Sequence, residues 1–301
     1  MSGALSSDLL IPPRITTVGE RPITATLDGI PETTLWTLHN RAREALRIDR
    51  ILDDPVAAQI YGRIDYTFDR NFGAPDGSHA LRASLFDDGV RDWATKHPDG
   101  RVVELGCGLE TQFFRCDNGR LRWLAVDVDD AIALRTQLIR HPRCQPFVGD
   151  ARSLKWLEML DTSESLCVTA QGLLMYFSER DAQNLLRNIL IRRPDTTILF
   201  DVVPLWFSSL SRWGLRKTRH YRAPPMPWGL NRSQIPAWTT ALDANIDVEV
   251  RPYGPVRGPL GFLFRHLSSQ PGFREHVGHV VRIRRATSLS SPRNAENHTE
   301  R

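Results

Sequence analysis

Short apolar runs alternate with helix-like stretches from about residue 101 onward, and this alternation constrains the fold more than any other feature of the sequence. The strand candidates are 102–105, 123–126, 145–148, 166–170, 197–200, 246–250 and 279–283. Helix-like segments at 110–115, 130–140, 153–159 and 179–192 separate the first five. Such alternation predicts an α/β fold with a mostly parallel sheet covered by helices on both faces. Right-handed crossovers then bring the carboxyl ends of the strands, and any ligand, to one edge.

The residues before this alternation predict a separate helical region. Residues 1–30 are rich in Ser, Pro and Thr without sustained periodicity, which indicates a loose arm. Thr33 and Thr34 are candidates to cap a first helix, and Pro55 suits the first turn of a second. A third helix is predicted at 78–96. The predicted organisation is an arm (1–30), a helical cap (31–98), a core (99–285) and a disordered tail (286–301).

Composition indicates a globular protein of the cytosol with no membrane-spanning segment. No apolar stretch is long enough to cross a bilayer, and the N-terminus lacks the pattern of a signal peptide. The four cysteines, Cys107, Cys116, Cys144 and Cys167, form no CxxC pair and have no histidine at ligand spacing, so we expect buried thiols and no metal. The net charge of +4 suits an anionic substrate or a solvated surface.

A glycine turn follows the first strand candidate in the segment "ELGCGLETQFFR". Gly106, Cys107 and Gly108 come directly after Glu104 and Leu105. A dinucleotide fingerprint would place a third glycine where Thr111 stands, and the phosphate-loop pattern is absent. A nicotinamide oxidoreductase is therefore disfavoured. A nucleoside without a pyrophosphate can still pack against such a turn.

Two aspartates follow the next two strand candidates. Asp127 ends the second and can accept hydrogen bonds from both hydroxyls of a ribose. Asp150 follows the third and can accept from the exocyclic amine of an adenine. Each aspartate alone is equally typical of an ordinary strand-end turn. Together with the glycine turn, the pair favours a nucleoside-containing cofactor.

The segments "ELGCGLETQFFR", "AVDVDDAIALR", "GDARSLKW" and "AQGLLMYF" resemble the leucine carboxyl methyltransferase superfamily. The resemblance extends over about residues 32–285 and is closest to the branch of polyketide O-methyltransferases of the TcmP type. It implies a class I methyltransferase that uses S-adenosylmethionine. It also implies a Rossmann-like sheet of seven strands, the last antiparallel, with a substrate lid (204–240) inserted between strands 5 and 6.

The resemblance also implies the residues that bind the cofactor. These are Arg41, Arg82, Glu104, Gly106, Cys107, Gly108, Asp127, Val128, Asp150, Ala151 and Gln171, with Leu154 near the adenine ring. Arg82 stands where the family places an arginine that binds the cofactor's carboxylate. Arg41 matches a position that is Arg or Lys in relatives, although a solvated arginine on a helix is an equally good interpretation.

Three residues depart from the family's usual pattern. Glu110 stands where Asp is usual, Gln112 where Arg is usual, and Gln171 where Glu is usual. Gln171 can still donate to the cofactor's carboxylate and accept from its ammonium, but one negative charge is lost. This loss supports a second hypothesis, in which the protein binds the cofactor with little turnover and acts as a regulator or scaffold.

The acceptor is predicted to be the carboxylate or acidic hydroxyl of a small aromatic or polyketide-like molecule. A carboxylate is ionised at neutral pH and needs no general base, whereas a phenol with a pKa of about 10 benefits from one. No compact base motif stands out in the sequence. A protein carboxylate remains an alternative acceptor.

The segment 212–230 combines Trp213, Tyr221 and Trp228 with several cations, which suits a flat anionic molecule. A basic surface loop is the alternative. Nucleic-acid bases would also stack there, but the Asn-Pro-Pro-aromatic motif of amino-methylating enzymes is absent, so no nucleic-acid partner is expected. Tyr176, His220 and Tyr221 are the candidate residues on the acceptor side.

Overall fold

The computed structural model describes residues 21–257 and 270–286 of the chain. Residues 1–20 of the predicted arm and 287–301 of the predicted tail lie outside the described residues. The prediction of a loose arm is wrong for residues 21–30. Ile23–Thr24 pairs in parallel with Ile64–Asp65, and the first helix already begins at Gly29.

Seven strands form the central sheet of the described chain. They are β1 (Arg101–Leu105), β2 (Arg122–Asp127), β3 (Cys144–Val148), β4 (Leu166–Ala170), β5 (Thr197–Val202), β6 (Ile246–Pro252) and β7 (His279–Arg285). The spatial order is β3-β2-β1-β4-β5-β7-β6. The first five strands run parallel, whereas β7 runs antiparallel to both β5 and β6. The predicted strands and the antiparallel last strand are confirmed.

The helices cover both faces of this sheet and the edge where the parallel strands end. They are α1 (Gly29–Ala45), α2 (Pro55–Arg63), α3 (Phe68–Phe72), α4 (Ser78–Lys96), α5 (Gln112–Cys116), α6 (Asp129–Leu138), α7 (Lys155–Glu158), α8 (Glu179–Arg192), α9 (Leu205–Arg212) and α10 (Ile235–Thr240). A further turn of helix lies at Pro271–Arg274. One sheet face packs on α8, α10 and Trp156 of α7, and the other packs on α4, α5 and α6.

Local chemistry explains where the N-terminal helices begin. Asp54 caps α2 by accepting a hydrogen bond from the Ala57 amide at 3.0 Å, and Pro55 occupies the first turn as expected. Thr33 and Thr34 do not cap α1, because the helix begins before them. Thr34 Oγ1 instead accepts a hydrogen bond from the Leu109 amide at 2.6 Å, which ties α1 to the loop after β1.

A buried ion cluster joins these helices to the sheet; it consists of Arg41, Asp54, Asp87, Glu110 and Arg115. Arg115 lies 2.6 Å from Asp54, 2.7 Å from Asp87 and 2.9 Å from Glu110. Arg41 lies 2.8 Å from Asp54 and 2.9 Å from Glu110. None of the five side chains is more than 9 % exposed. The cluster therefore fixes α1, α2 and α4 to the loop and short helix that follow β1.

No helix within residues 21–257 and 270–286 is both long enough and apolar enough to span a bilayer. The four cysteines are buried and unpaired, as the sequence predicted.

Replacing Arg115 with Met is expected to destabilise the protein strongly. The substitution leaves Asp54 and Glu110 with only Arg41 and removes the close partner of Asp87, and breaking a buried ion pair costs about 3–5 kcal/mol. Arg91→Met is the matched control, because Arg91 approaches the same Asp87 at 3.8 Å but is 51 % exposed, where a pair contributes about 0–1 kcal/mol. Urea unfolding measures both, and equal losses would contradict the role of the cluster.

Candidate functional site

A cavity of about 720 Å³ opens at the carboxyl edge of the parallel strands. Its walls include the glycine turn after β1, Asp127 at the end of β2, Asp150 after β3 and Gln171 after β4. Of the predicted cofactor residues, these line the cavity: Arg82, Glu104, Gly106, Cys107, Gly108, Asp127, Val128, Asp150, Ala151 and Gln171. The volume lies within the range of about 300–1,000 Å³ that is typical of small-molecule sites.

The glycine turn is shaped by its contact with α1 as well as by the cavity. Gly108 has φ +42°, and a Cβ atom there would lie 2.2 Å from Thr34 Oγ1. The Gly108 amide donates to Asp127 Oδ2 at 2.7 Å. A side chain at Gly108 would therefore separate the turn from both partners.

The two strand-end aspartates differ in their surroundings. The Asp127 carboxylate accepts from the Gly108 and Val128 amides, and burial raises its pKa above the ordinary value while these two bonds lower it. Asp150 is held by the Arg152 guanidinium, which lowers the pKa of the Asp150 carboxyl. Asp127 thus presents one lone-pair direction on each oxygen to the cavity, whereas an amine at Asp150 would share the carboxylate with Arg152.

Arg82 lies on the other side of the cavity, against the turn after β4. Its Nη1 atom lies 3.4 Å from Asp201 Oδ2, and Asp201 also accepts from the Gly172 amide at 2.6 Å and from the Tyr253 hydroxyl at 2.8 Å. Gly172 has φ +69°, and a Cβ atom there would lie 2.7 Å from Arg82 Nη1. Asp201 and Gly172 therefore position the guanidinium.

Glu104, which is buried, and Gln171, which is partly buried, are polar residues of the cavity lining. Burial raises the pKa of Glu104 to about 7, although Arg135 opposes the shift. Gln171 donates from Nε2 to Glu110 Oε2 at 2.9 Å. Its Oε1 atom is buried and has no hydrogen-bond partner within the described part of the chain.

Arg41 is a correction, because it does not reach the cavity. Its guanidinium is fully buried and donates to Asp54, Glu110, Thr111 and the Leu109 carbonyl. These acceptors orient the Arg41 side chain toward the buried ion cluster. Arg41 therefore supports the loop after β1 without contacting the cavity. Leu154 is likewise a core residue outside the cavity lining.

Two of the three acceptor-side candidates are also misplaced. His220 is exposed and contacts Arg70 and Arg219. Tyr221 packs in the N-terminal helical core, with its ring 4.8 Å from that of Phe72. Only Tyr176 lines the cavity, and burial raises its pKa to about 12, so its hydroxyl stays protonated.

The predicted segment 212–230 contributes different residues from those expected. Trp213 is 88 % exposed, and Trp228 stacks on Trp238 in the core. The cavity is instead lined there by Trp206, Phe207, Leu215, Arg216 and Lys217.

Sequence reasoning also missed Trp36 and His79, which lie on α1 and α4 and face the same cavity. One signal was available, because His79 precedes Arg82 by three residues on a predicted helix and so shares its face.

Three comparisons with known proteins place this geometry in context. The family model described as leucine carboxyl methyltransferase matches residues 34–190, which is more than half of the chain. The chain belongs to the leucine carboxyl methyltransferase family.

This methyltransferase is 32 % identical over 187 residues to the tetracenomycin polyketide synthesis O-methyltransferase TcmP of Streptomyces glaucescens, covering 61 % of this chain and 69 % of that protein. It is 30 % identical over 186 residues to the S-adenosyl-L-methionine-dependent methyltransferase dpfgK of Gibberella zeae, covering 54 % of this chain and 61 % of that protein. Among solved structures, magnesium protoporphyrin IX methyltransferase from Synechocystis matches with a TM-score of 0.46 and 12 % identity, over 77 % of this chain and 94 % of that one.

S-adenosylmethionine is the cofactor of this methyltransferase, and the cavity fits its chemistry. Asp127 offers acceptors for a ribose, Arg82 offers a donor fork for a carboxylate, and the orphaned Oε1 of Gln171 offers an acceptor for an ammonium.

Gly172→Ala is expected to weaken cofactor binding by about tenfold or more if Arg82 binds the cofactor's carboxylate as predicted, since the added methyl group would displace the Arg82 guanidinium. Gly119→Ala is the matched control, because Gly119 has φ +85° and a Cβ atom there would meet nothing within 4 Å. Both variants carry the cost of a positive φ, roughly 1–2 kcal/mol. Calorimetry with S-adenosylhomocysteine separates them; equal affinity in the two variants would refute the assignment of Arg82.

Proposed function

We propose that this methyltransferase transfers a methyl group from S-adenosylmethionine to an oxygen of a small, flat, anionic molecule, either a carboxylate or an already ionised acidic hydroxyl. The observation that carries the proposal is the chemistry of the cavity wall opposite the strand ends. This region is both aromatic and cationic. Its members are Trp36, His79, Met175, Tyr176, Trp206, Phe207, Leu215, Arg216 and Lys217.

Lys217 and Trp36 provide the central contact for such an acceptor. The Lys217 ammonium lies 5.5 Å from the centroid of the Trp36 ring and 3.9 Å from Asp76 Oδ2. An aromatic face beside a cation suits a planar ring that carries a negative charge. Trp206 and Phe207 supply further apolar surface on the same cavity.

The titratable groups in this wall favour an acceptor that arrives ionised. Burial, together with the charges of Arg82 and Lys217, lowers the pKa of His79 to about 3 against the opposing effect of Asp76. His79 is therefore a neutral imidazole and a weak base at neutral pH. Tyr176 remains a protonated phenol, so it donates a hydrogen bond and does not remove a proton.

The cavity residues fall into two groups with different proposed roles. When bound, the cofactor would supply a methyl group on a sulfonium; the acceptor's anionic oxygen would bond to the methyl carbon in line as the C–S bond breaks, and neutral S-adenosylhomocysteine would leave. Arg82 and the strand-end residues bind the cofactor, and Lys217 holds the acceptor's charge. Tyr176 and Met175 follow β4 and line the cavity, where their side chains would help to exclude water from the reacting atoms.

The name of one relative supports oxygen as the nucleophile. That relative is described as an O-methyltransferase of tetracenomycin polyketide synthesis, which agrees with the polyketide-like acceptor that the sequence predicted. We extend that class to this chain as aromatic or polyketide-like acceptors, with no nucleic-acid or membrane partner and a cytoplasmic location.

The test is methyl transfer to matched acceptors across pH 6–9. Aromatic carboxylates are expected to react with a flat pH profile of kcat/KM, because they are ionised throughout. Phenols with a pKa near 10 are expected to react faster as the pH rises. If kcat/KM for the carboxylates rose with an apparent pKa near that of a free histidine, about 6.5, the enzyme would be using a general base and the assignment would be contradicted.

Lys217→Met is expected to raise KM for anionic acceptors by about tenfold or more and to leave affinity for S-adenosylhomocysteine unchanged. Arg219→Met is the matched control, because Arg219 is an exposed cation two residues away that contacts His220 and does not line the cavity. Transfer of labelled methyl only to protein or RNA in an extract would refute a small-molecule acceptor. Cofactor binding without any transfer would favour a regulator or scaffold.

A further inference from the structure

The buried ion cluster has an imbalance of charge. It contains the carboxylates of Asp54, Asp87 and Glu110 but only two guanidiniums, those of Arg41 and Arg115. A buried charge without a partner is costly, so a surplus carboxylate calls for a cation. The half-exposed Arg91 approaches Asp87 at 3.8 Å, and neither of these two residues lines the cavity, whereas Glu110 does.

Glu110 is the member of the cluster that faces the cavity. Its Oε1 atom accepts from Arg41, Arg115 and the Thr111 amide. Its Oε2 atom accepts from Gln171 alone among the described residues, and both side chains line the cavity. One oxygen is thus saturated by the cluster while the other has a free lone-pair direction beside the ligand space.

Gln171 adds a second acceptor at the same place. Its amide orientation follows from Nε2 donating to Glu110, which leaves Oε1 buried and without a partner among the described residues. The Gln171 carbonyl has no hydrogen-bond partner in the described part of the chain, and the neighbouring Glu110 Oε2 atom can accept one more hydrogen bond. Such a pair of acceptors suits a ligand group that has hydrogen-bond donors and no acceptors. An ammonium, with three donors and no acceptor, meets that requirement.

Arg82 supplies the opposite charge close by. It lies against Gly172, the residue after Gln171, and its described hydrogen bond uses only Nη1. Burial lowers the pKa of Arg82, whereas the charges of Asp201, Tyr253 and Glu110 raise it. An arginine and a carboxylate on either side of one turn match a group that carries a carboxylate and an ammonium on the same carbon.

We propose that Glu110, assisted by Gln171, binds the α-ammonium of the cofactor's amino-acid portion and makes the site selective for the intact zwitterion. The ammonium thereby offsets the surplus negative charge of the cluster when the cofactor binds. This inference rests on the use of S-adenosylmethionine in the proposed function.

Glu110 is charged in the conditions of binding. Burial raises the pKa of its carboxyl, but Arg41 and Arg115 outweigh burial and hold the pKa at about 2. The carboxylate therefore attracts an ammonium throughout the neutral range.

Calorimetry with two ligands tests the proposal in the full-length chain. S-adenosylhomocysteine carries the zwitterion, and 5′-methylthioadenosine carries the same nucleoside without it. Glu110→Gln is expected to weaken binding of S-adenosylhomocysteine by about 10–100-fold, as expected for a lost hydrogen bond to a charged group. Binding of 5′-methylthioadenosine is expected to change by less than about twofold.

Two further variants separate binding from folding. Glu110→Asp keeps the charge for Arg41 and Arg115 but withdraws the carboxylate from Gln171, so the ratio of the two affinities is expected to fall as in Glu110→Gln. Adding Gln171→Glu to Glu110→Asp returns a carboxylate to the cavity and is expected to restore the ratio. Asp87→Asn is the matched control, because it removes one charge from the same cluster at a residue that does not line the cavity.

Equal weakening of both ligands in Glu110→Gln and Glu110→Asp, or no change in their ratio, would overturn the proposal. Failure of the double variant to restore selectivity would also count against it. These outcomes differ from failure of the proposed function, in which the unmodified protein itself would bind neither nucleoside or transfer no methyl group.

Discussion

The buried ion cluster is the interaction on which the rest of the structure depends. Arg115 alone connects the cap of α2, the middle of α4 and the loop after β1 through Asp54, Asp87 and Glu110. Charges buried in this way stabilise a fold only when all partners are present and well placed, since removing one leaves the others desolvated and unpaired. The N-terminal helices are therefore attached to the sheet by a set of contacts that specifies one arrangement, and that arrangement brings Trp36 and His79 to the cavity.

The sheet was predictable because its signal is local. Buried parallel strands appear as short, continuous apolar runs, and each observed strand extends the predicted run by at most two residues at either end. The predicted bounds of helix α4 agree with the observed ones, because its apolar residues recur at regular helical spacing and this signal is also local. Helices α3, α9 and α10 were missed, because elements of five to eight residues form through tertiary packing and carry little periodic signal of their own.

The cavity wall at the strand ends was predictable, and the wall formed by α1, α9 and the segment after α9 was not. Residues that directly follow parallel strands must lie at one edge, so Gly106, Asp127 and Asp150 could be placed by topology alone. Side chains on helices and in the segment after β5 have no such constraint. Arg41 turns toward Asp54 and Glu110, and Tyr221 turns toward Phe72, because partners far away in sequence decide their direction. Glu110 and Gln171 both differ from the residues usual in the family, and they are distant in sequence. In the structure they are hydrogen-bonded to each other at 2.9 Å, so the two differences form one feature that their separation in the sequence could not indicate.

The electrostatics of the cavity is consistent with the proposed transfer to an ionised acceptor, which needs no strong base. Arg82 and Lys217, together with burial, keep the His79 imidazole neutral, so the same charges that weaken it as a base favour the ionised form of an acceptor. In the proposed function, a carboxylate or acidic phenol bound beside Lys217 would arrive as a nucleophile, and the remaining requirement would be its alignment with the methyl group. Alignment comes from rigid walls: Trp36 on α1, Tyr176 after β4 and Phe207 on α9 all line the cavity from separate elements. Because α1 is fixed by Arg41 within the buried ion cluster, the position of the acceptor relative to the cofactor depends on the same charges that hold the fold together.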